Sequence, residues 1–534
     1  MPLSLVVRGG TVYDGTGAEG VRADVGVDGD RIVVIGDVPD SVDADVLDAT
    51  GMAVTPGFVN ILSHAWGSLQ IDGSGASDVY QGVTTEIFGE AFSLGPSVPA
   101  LTEAAEQFAG LVLGTQVEFP RLSEGLNHLE RNGVGPNVAS FVGGTNLRVL
   151  GAGLVDGPTP SAELDRVRGV LAEEMADGAL GVGTALIYAP GRYADTDELV
   201  ALCEVIAEYD GLYISHLRSE GDSLMECLDE LLRIGERSGA RTEVYHLKAV
   251  GRANWPKMKT AIDRIEAARQ TGRSVAANMY PYTAGGTSLA AAIPPSFHDG
   301  GTRALQERLG DPAVRKRVAA EITSQTMEWE NLFTGSGGGP GVLLLDDLQD
   351  GTRTAGRRLS DVASDLGVEP VDALIEVVRR DISIAAAYFM IDEENVRLGL
   401  SQPWVSIGSD APTNRPEEPW SSRAVHPRTY GTFARVLGRY CRDEGLFSLA
   451  EAVRRMTSLP AGTLRLTDRG VLRDGSYADI AVFDPATVAD TATWERQHSY
   501  AVGMKHVCVN GVPVLRDGML TEATPGRRLR RGAA

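Results

Sequence analysis

The apolar positions of this 534-residue chain change their period twice. Near the start, short β-type runs alternate with turns. Leu5-Val6-Val7-Arg8 runs into Gly9-Gly10, and Asp28-Gly29-Asp30 precedes Arg31-Ile32-Val33-Val34-Ile35. An Asp-Gly pair between two β-rich runs predicts a hairpin. The far end has the same texture: Ala478–Phe483 and His506–Val509 are strand-like, with turns at Asp474-Gly475 and Asp517-Gly518. The middle, 55–466, is different. Val83–Phe88, Gly211–Ser215 and Val405–Gly408 read as strands. Between them lie helix-like stretches such as 222–238, whose Leu224, Leu228, Leu231, Leu232 and Ile234 share roughly one face. Alternation on this scale predicts an α/β fold with a parallel sheet or barrel. Two β-rich ends around a different middle predict one small β domain built from 1–54 and 467–534. The Gly- and charge-rich stretch 300–355 has weaker periodicity and reads as an insertion on the barrel that could serve as a lid.

Composition narrows the function classes. Hydrophobic residues make up 43 % and charged residues 23 %, as in ordinary globular proteins. Lys+Arg 49 against Asp+Glu 72 leaves a net charge of −23, which repels phosphate backbones and anionic lipid. Nucleic acid and membrane are therefore excluded as partners, and no stretch approaches the roughly 18 apolar residues of a membrane span. A homo-oligomer stays open. The N-terminus has no basic start followed by a long apolar run. Cys203, Cys227, Cys441 and Cys508 are far apart with no CxxC pair, which fits a reducing compartment, so the expectation is a cytoplasmic protein. No repeat of 20–50 residues is present.

Histidine is scarce, with eight in the chain, so each position counts. His216 and His246 end strand-like runs, Asp410 ends another, and His64 follows the run from Pro56 to Ser63. In a parallel barrel the C-terminal strand ends open onto one face, so residues there converge. Two imidazoles and a carboxylate suit zinc or a similar divalent ion, which polarises an amide carbonyl and acidifies a water. A single His at a strand end is more often a packing residue; the joint pattern carries the weight.

Several blocks in order resemble the amidohydrolase superfamily and, within it, the D-aminoacylases (N-acyl-D-amino-acid deacylases). They are Val54-Thr55-Pro56-Gly57-Phe58, Gln81-Gly82-Val83-Thr84-Thr85, Tyr188-Ala189-Pro190-Gly191, His216-Leu217-Arg218-Ser219-Glu220, His246-Leu247-Lys248, Tyr280-Pro281-Tyr282, Ser409-Asp410 and His426-Pro427-Arg428. Gly470 with the closing run Ala478–Pro485 completes them. The resemblance implies a (β/α)8 barrel with a small β-sandwich from both termini. It also implies hydrolysis of a C–N amide bond in a small-molecule substrate, most directly deacylation of an N-acyl-D-amino acid. His216 and His246 match the metal ligands and Asp410 the general base, which would take a proton and return it to the leaving amine. Lys248 and Arg428 match the cations that hold the substrate's α-carboxylate; Arg suits this because its planar fork binds bidentately. Tyr188, Tyr280 and Tyr282 match pocket-wall and hydrogen-bonding residues.

The chain departs from that pattern at two places. The family's Asp-x-His-Thr-His reads Asn60-Ile61-Leu62-Ser63-His64, so only His64 survives as a candidate ligand there. The family's bridging Cys is absent from Gly89-Glu90-Ala91-Phe92; with the turn one residue shorter, Glu90 falls on its position and offers an oxygen ligand. Lys248 is the first lysine of the chain, so the carboxylated Lys that bridges two metals in hydantoinase-like relatives cannot exist here. The expectation is one Zn2+ per chain, held by His216, His246 and Glu90. Because both departures touch the reacting centre, altered chemistry on a D-dipeptide or specialised metabolite stays open, as does a non-catalytic homologue.

Overall fold

The parallel strands expected from the sequence close on themselves. A computed structural model describes residues 3–40, 43–108, 119–324, 329–418 and 420–532. The barrel strands are β1 (Phe58–Asn60), β2 (Val83–Phe88), β3 (Asn137–Ser140, resuming at Val142–Gly143), β4 (Gly181–Ala185), β5 (Leu212–His216), β6 (Arg241–Val244), β7 (Val275–Met279) and β8 (Val405–Ile407). Each pairs in parallel with the next, for example Asn60 with Glu86, Ala185 with His216 and Met279 with Ile407. The seam between the first and last strands is closed just beyond their ends. Ser63 bridges Ala411 in parallel, the Asp410 N–H donates to Leu62 O at 2.9 Å, and the His64 N–H donates to Ala411 O at 3.0 Å. The Asn60 side chain stitches the seam from inside: its amide donates to Ser409 Oγ at 2.8 Å and Glu86 Oε2 at 3.0 Å, and its Oδ1 accepts the Ser409 N–H at 2.9 Å.

Helices wrap the barrel. α1 (Leu224–Ser238) buries Leu224, Leu228, Leu231, Leu232 and Ile234, the face marked by the periodicity; residues 222 and 223 form the turn before it. α2 (Arg428–Arg435) follows β8 and brings Arg428 to the strand ends.

Strands from both ends of the chain share one nine-stranded sheet among the described residues. Val21–Asp28 and Arg31–Gly36 form the hairpin expected at Asp28-Gly29-Asp30. Ala53–Pro56 pairs antiparallel with Ile480–Phe483, and Gly57 links it directly to β1. This sheet has its own core, with Leu5, Val25, Val27, Ile32, Val54, Ile480 and Val482 fully or nearly fully buried.

Between β7 and β8 the chain leaves the barrel for longer than the sequence texture marks. Ala284–Ser288, Val342–Leu344 and Ala385–Phe389 form a separate antiparallel sheet, so the excursion reaches from 284 to 389. Inside 300–355 lie the helices Gly301–Leu309 and Pro312–Ile322; residues 325–328 of that stretch are outside the described residues.

Beneath the seam sits a carboxyl with incomplete compensation. Glu86 is fully buried and its Oε1 has no hydrogen-bond partner among the described residues. Burial pushes it from 4.5 up to about 7, against the opposing hydrogen bonds from Ser63 and Asn60. Such a group binds its proton more tightly folded than unfolded, so its destabilisation is absent below pH 4.5 and grows as pH rises towards 7. Glu86→Gln keeps an acceptor for Asn60 and is expected to raise stability by about 1–3 kcal/mol at pH 8 and leave it unchanged at pH 4. Thermal melts at the two pH values check this; equal effects at both would refute it.

Candidate active site

Each candidate ligand and Asp410 is delivered by a C-terminal strand end. Glu90 lies two residues past β2, His216 ends β5, His246 lies two past β6, His64 four past β1 and Asp410 three past β8. The backbone is bent to bring them in. Gly89 sits at φ +112°, where a Cβ would lie 2.5 Å from Phe141 O, so glycine is required for the turn that presents Glu90. His246 and Asp410 themselves adopt left-handed φ values of 34° and 53°, uncommon for side-chain-bearing residues and characteristic of functional sites. The His246 backbone is pinned by Asn278 Oδ1, which accepts its N–H at 2.9 Å.

One carboxylate organises the cluster. Glu90 Oε1 lies 3.1 Å from His216 Nδ1 and 3.1 Å from His246 Nε2, while its Oε2 lies 3.2 Å from His64 Nε2. His64 Nε2 is also 3.0 Å from Asp410 Oδ1, and Asp410 Oδ2 accepts from Arg428 Nη1 at 2.6 Å. Behind the histidines lies Glu220. It faces His246 Nδ1 at 3.1 Å and His216 Nε2 at 3.4 Å, and it takes Lys248 Nζ at 2.6 Å. Two groups therefore have donor atoms within 4.8 Å of one another: Glu90, His216 and His246, and Glu90, His64 and Asp410.

Burial and charge set the protonation. Burial opposes ionisation of Glu90, but the His246 charge and the three imidazole hydrogen bonds hold it well below the usual carboxylate range. Burial keeps His216 low and neutral. For His246, burial and Lys248 push down, but Glu220 and Glu90 raise it to about 9. Burial likewise disfavours the His64 cation, yet Asp410 and Glu90 raise it to about 9. Asp410 stays low because Arg428 and His64 outweigh its desolvation.

The residues fit a divalent cation. Two imidazole nitrogens converge on one carboxylate oxygen, and the three donor atoms lie close enough together to hold one cation. His216 Nε2 is a buried nitrogen without a hydrogen-bond partner among the described residues, 3.4 Å from a Glu220 oxygen. Neutral His, ionised Glu and His form the N/O donor set that zinc accepts.

These side chains line one cavity of about 120 Å3, together with apolar residues including Phe92, Phe108, Ile187, Leu332 and Met390. Of the residues singled out from sequence, His64, Glu90, His216, His246, Asp410, Lys248, Arg428, Tyr188 and Tyr280 all line it. Tyr188 OH pairs with Thr287 Oγ1 at 2.7 Å, and Arg428 lies 4.9 Å from the Tyr280 ring centroid. Tyr282 lies outside this cavity, with Arg435 over its ring and its hydroxyl directed at Pro427 O. Leu62 is fully buried in an apolar cluster with Val59, Ile61, Ile87 and Phe141, so it contributes nothing to the site. Sequence reading missed Glu220 and Glu330. The first stands four residues after His216 in a quoted block; the second lies in the aperiodic excursion and has no local signal.

A closed (β/α)8 barrel with a cation-binding cluster at its C-terminal strand ends defines the class, and the amidohydrolase family pattern matches residues 146–515. The chain belongs to the amidohydrolase family and, within it, to the D-aminoacylase branch. It is 34 % identical to a D-aminoacylase of Alcaligenes xylosoxydans xylosoxydans over 100 % of this chain and 99 % of that one. A solved D-aminoacylase, described with a binuclear metal centre activated by one metal and attenuated by a second, superposes with TM-score 0.83 at 32 % identity, covering 99 % of this chain and 100 % of its own. An N-acyl-D-glutamate deacylase of Bordetella bronchiseptica, solved with zinc and a phosphonate mimic of the tetrahedral intermediate, gives TM-score 0.83 at 31 % identity over 99 % and 100 % of the two chains.

His64 and His246 bind their protons more tightly in the metal-free fold, at about 9, than at their ordinary 6.5. The stabilisation they give is complete below pH 6.5 and is lost as pH rises through 9. Metal-free protein is therefore expected to lose melting temperature steadily between pH 7 and pH 10, and saturating zinc should flatten that slope by replacing protons at the cluster. Melts with chelator and with zinc test this; parallel curves would contradict it.

Proposed function

We propose that this protein is a metal-dependent hydrolase of a C–N amide bond and that its substrate is an N-acyl-D-amino acid or a similar amide ending in a carboxylate. The observation that carries this is the convergence of Glu90, His216 and His246 with Asp410 in a cavity that also holds Lys248 and Arg428. Membership of the D-aminoacylase branch supports it.

Glu90, His216 and His246 would hold one zinc ion. A divalent cation there supplies Lewis acidity towards the scissile carbonyl and lowers the pKa of a water. Asp410 is ionised, and its carboxylate would accept a proton from the water and return it to the departing amine. Arg428 keeps Asp410 charged and, with Lys248, offers the positive field for the substrate's carboxylate. Tyr280 lies beneath both cations and shields them from water. A stoichiometry of one is supported by Leu62, which removes a ligand, and by the bond from Arg428 to Asp410 in the second group.

Leu62 and Glu90 keep a second reading alive, the same scaffold acting on a D-dipeptide or specialised metabolite. Four cysteines without a disulfide among them support a cytoplasmic enzyme. No helix among the described residues is long and apolar enough to cross a membrane.

The test is a zinc-replete screen of N-acyl-D-amino acids, their L-enantiomers and D-dipeptides. N-acyl-D-amino acids are expected to be hydrolysed and the L-forms to be poor; turnover of D-dipeptides alone would favour the second reading. Asp410→Asn should cost about 10²–10⁴-fold in kcat with zinc content unchanged. Glu90→Gln should weaken zinc affinity by about tenfold or more, a larger effect than its effect on the metal-free fold. Two zinc ions per chain by elemental analysis, or full zinc retention in Glu90→Gln, would count against the single-ion centre.

A further inference from the structure

His426 lines the cavity and is 5 % exposed, yet the chemistry proposed above gives it no part. Both of its ring nitrogens are engaged. Nε2 faces the Ala284 carbonyl oxygen at 2.9 Å, and Nδ1 faces the Arg428 backbone N–H at 3.0 Å. A carbonyl can only accept and a backbone N–H can only donate, so Nε2 carries the proton and Nδ1 is the acceptor. Burial and then the Arg428 charge hold the ring well below its usual 6.5, so it stays neutral.

Arg428 is the first residue of α2, where a backbone N–H has no partner inside the helix. His426 supplies that partner. The far end of Arg428 is held as well: Nη1 donates to Asp410 Oδ2 at 2.6 Å and Nη2 to Gly286 O at 3.1 Å. Ala284 and Gly286 belong to one strand of the excursion sheet, Ala284–Ser288. That strand therefore grips the imidazole and the guanidinium through two of its carbonyls. The imidazole is itself fixed from the side by Tyr282, at 5.3 Å between ring centroids, and by Trp494, at 4.7 Å.

We propose that His426 is a positioning residue that acts through Arg428: its Nδ1 anchors the start of α2 to the strand Ala284–Ser288 and so fixes the Arg428 guanidinium against Asp410. The kinetic consequence rests on the deacylase reading above. A guanidinium displaced by about 1 Å would leave Asp410 with a poorer partner and cost about 100-fold in rate.

The test separates the two nitrogens. Asn places its amide oxygen near the position of Nδ1 and retains an acceptor for the Arg428 N–H. Gln places its amide nitrogen near the position of Nε2 and retains only the bond to Ala284. On the N-acyl-D-amino acid turned over best by the zinc-loaded parent, His426→Gln is expected to lose about 100-fold in kcat/KM with zinc content unchanged. His426→Asn is expected to recover at least about tenfold of that loss. Both variants take the ring away from Tyr282 and Trp494, so a His426 that only fills space gives equal losses. That result, or Gln outperforming Asn, overturns the proposal. If no N-acyl-amino acid is hydrolysed, the deacylase reading fails on its own, and crystal structures of the two variants still decide the role of His426. An Arg428–Asp410 bond kept in His426→Asn and lost in His426→Gln sustains it, and an unmoved guanidinium in both overturns it. In the parent protein, long-range 1H–15N spectra should show His426 protonated at Nε2 alone; protonation at Nδ1 overturns the proposal whatever the variants do.

Discussion

A buried negative charge must find its compensation, and here that requirement shapes the whole face of the barrel. Glu90 is largely buried in the cavity wall, and three imidazoles from three different strands turn towards its two oxygens. Each imidazole then needs its own partner. Glu220 backs His246 and His216, Lys248 neutralises Glu220, Asp410 receives His64, and Arg428 neutralises Asp410. The chain of pairings runs through five of the barrel's strand ends and ends on two cations, Lys248 and Arg428. The whole cluster is thus one electrostatic network.

The network tolerates the two departures from the family pattern because each is locally consistent. Leu62 belongs to an apolar cluster under the cavity, where an imidazole would have needed a partner that Val59, Ile87 and Phe141 cannot give. Glu90 reaches with two oxygens in place of one sulfur, so a single side chain serves both His216/His246 and His64. The left-handed backbone at His246 and Asp410 and the Gly89 turn hold these short reaches in place.

Much of this was legible in the residues. Periodicity found α1 to within two residues and the hairpin at Asp28-Gly29-Asp30, since both depend on local pattern. The strand ends identified His64, His216, His246 and Asp410 because a parallel barrel makes position along a strand equivalent to position in space. What failed was what depends on contacts distant in sequence or on side-chain direction. Tyr282 differs from Tyr280 by two residues, yet it lies outside the cavity. Glu330 comes from an excursion whose small antiparallel sheet is set by distant pairings, Ala284 with Phe389 and Val342 with Tyr388, which no local period encodes. The same limit applies at the termini, where Thr55 meets Ala481 across 426 residues.

Glu90 also determines how the centre meets an oxidant. A thiolate ligand can be taken stepwise to sulfenic and sulfinic acids, each step weakening its hold on a metal. A carboxylate is already at the top of its oxidation ladder. Cys203, Cys227 and Cys508 are buried elsewhere in the fold, and no cysteine lines the cavity. Peroxide therefore meets no thiol at this cluster, and a protein-derived sulfur switch cannot act on it directly.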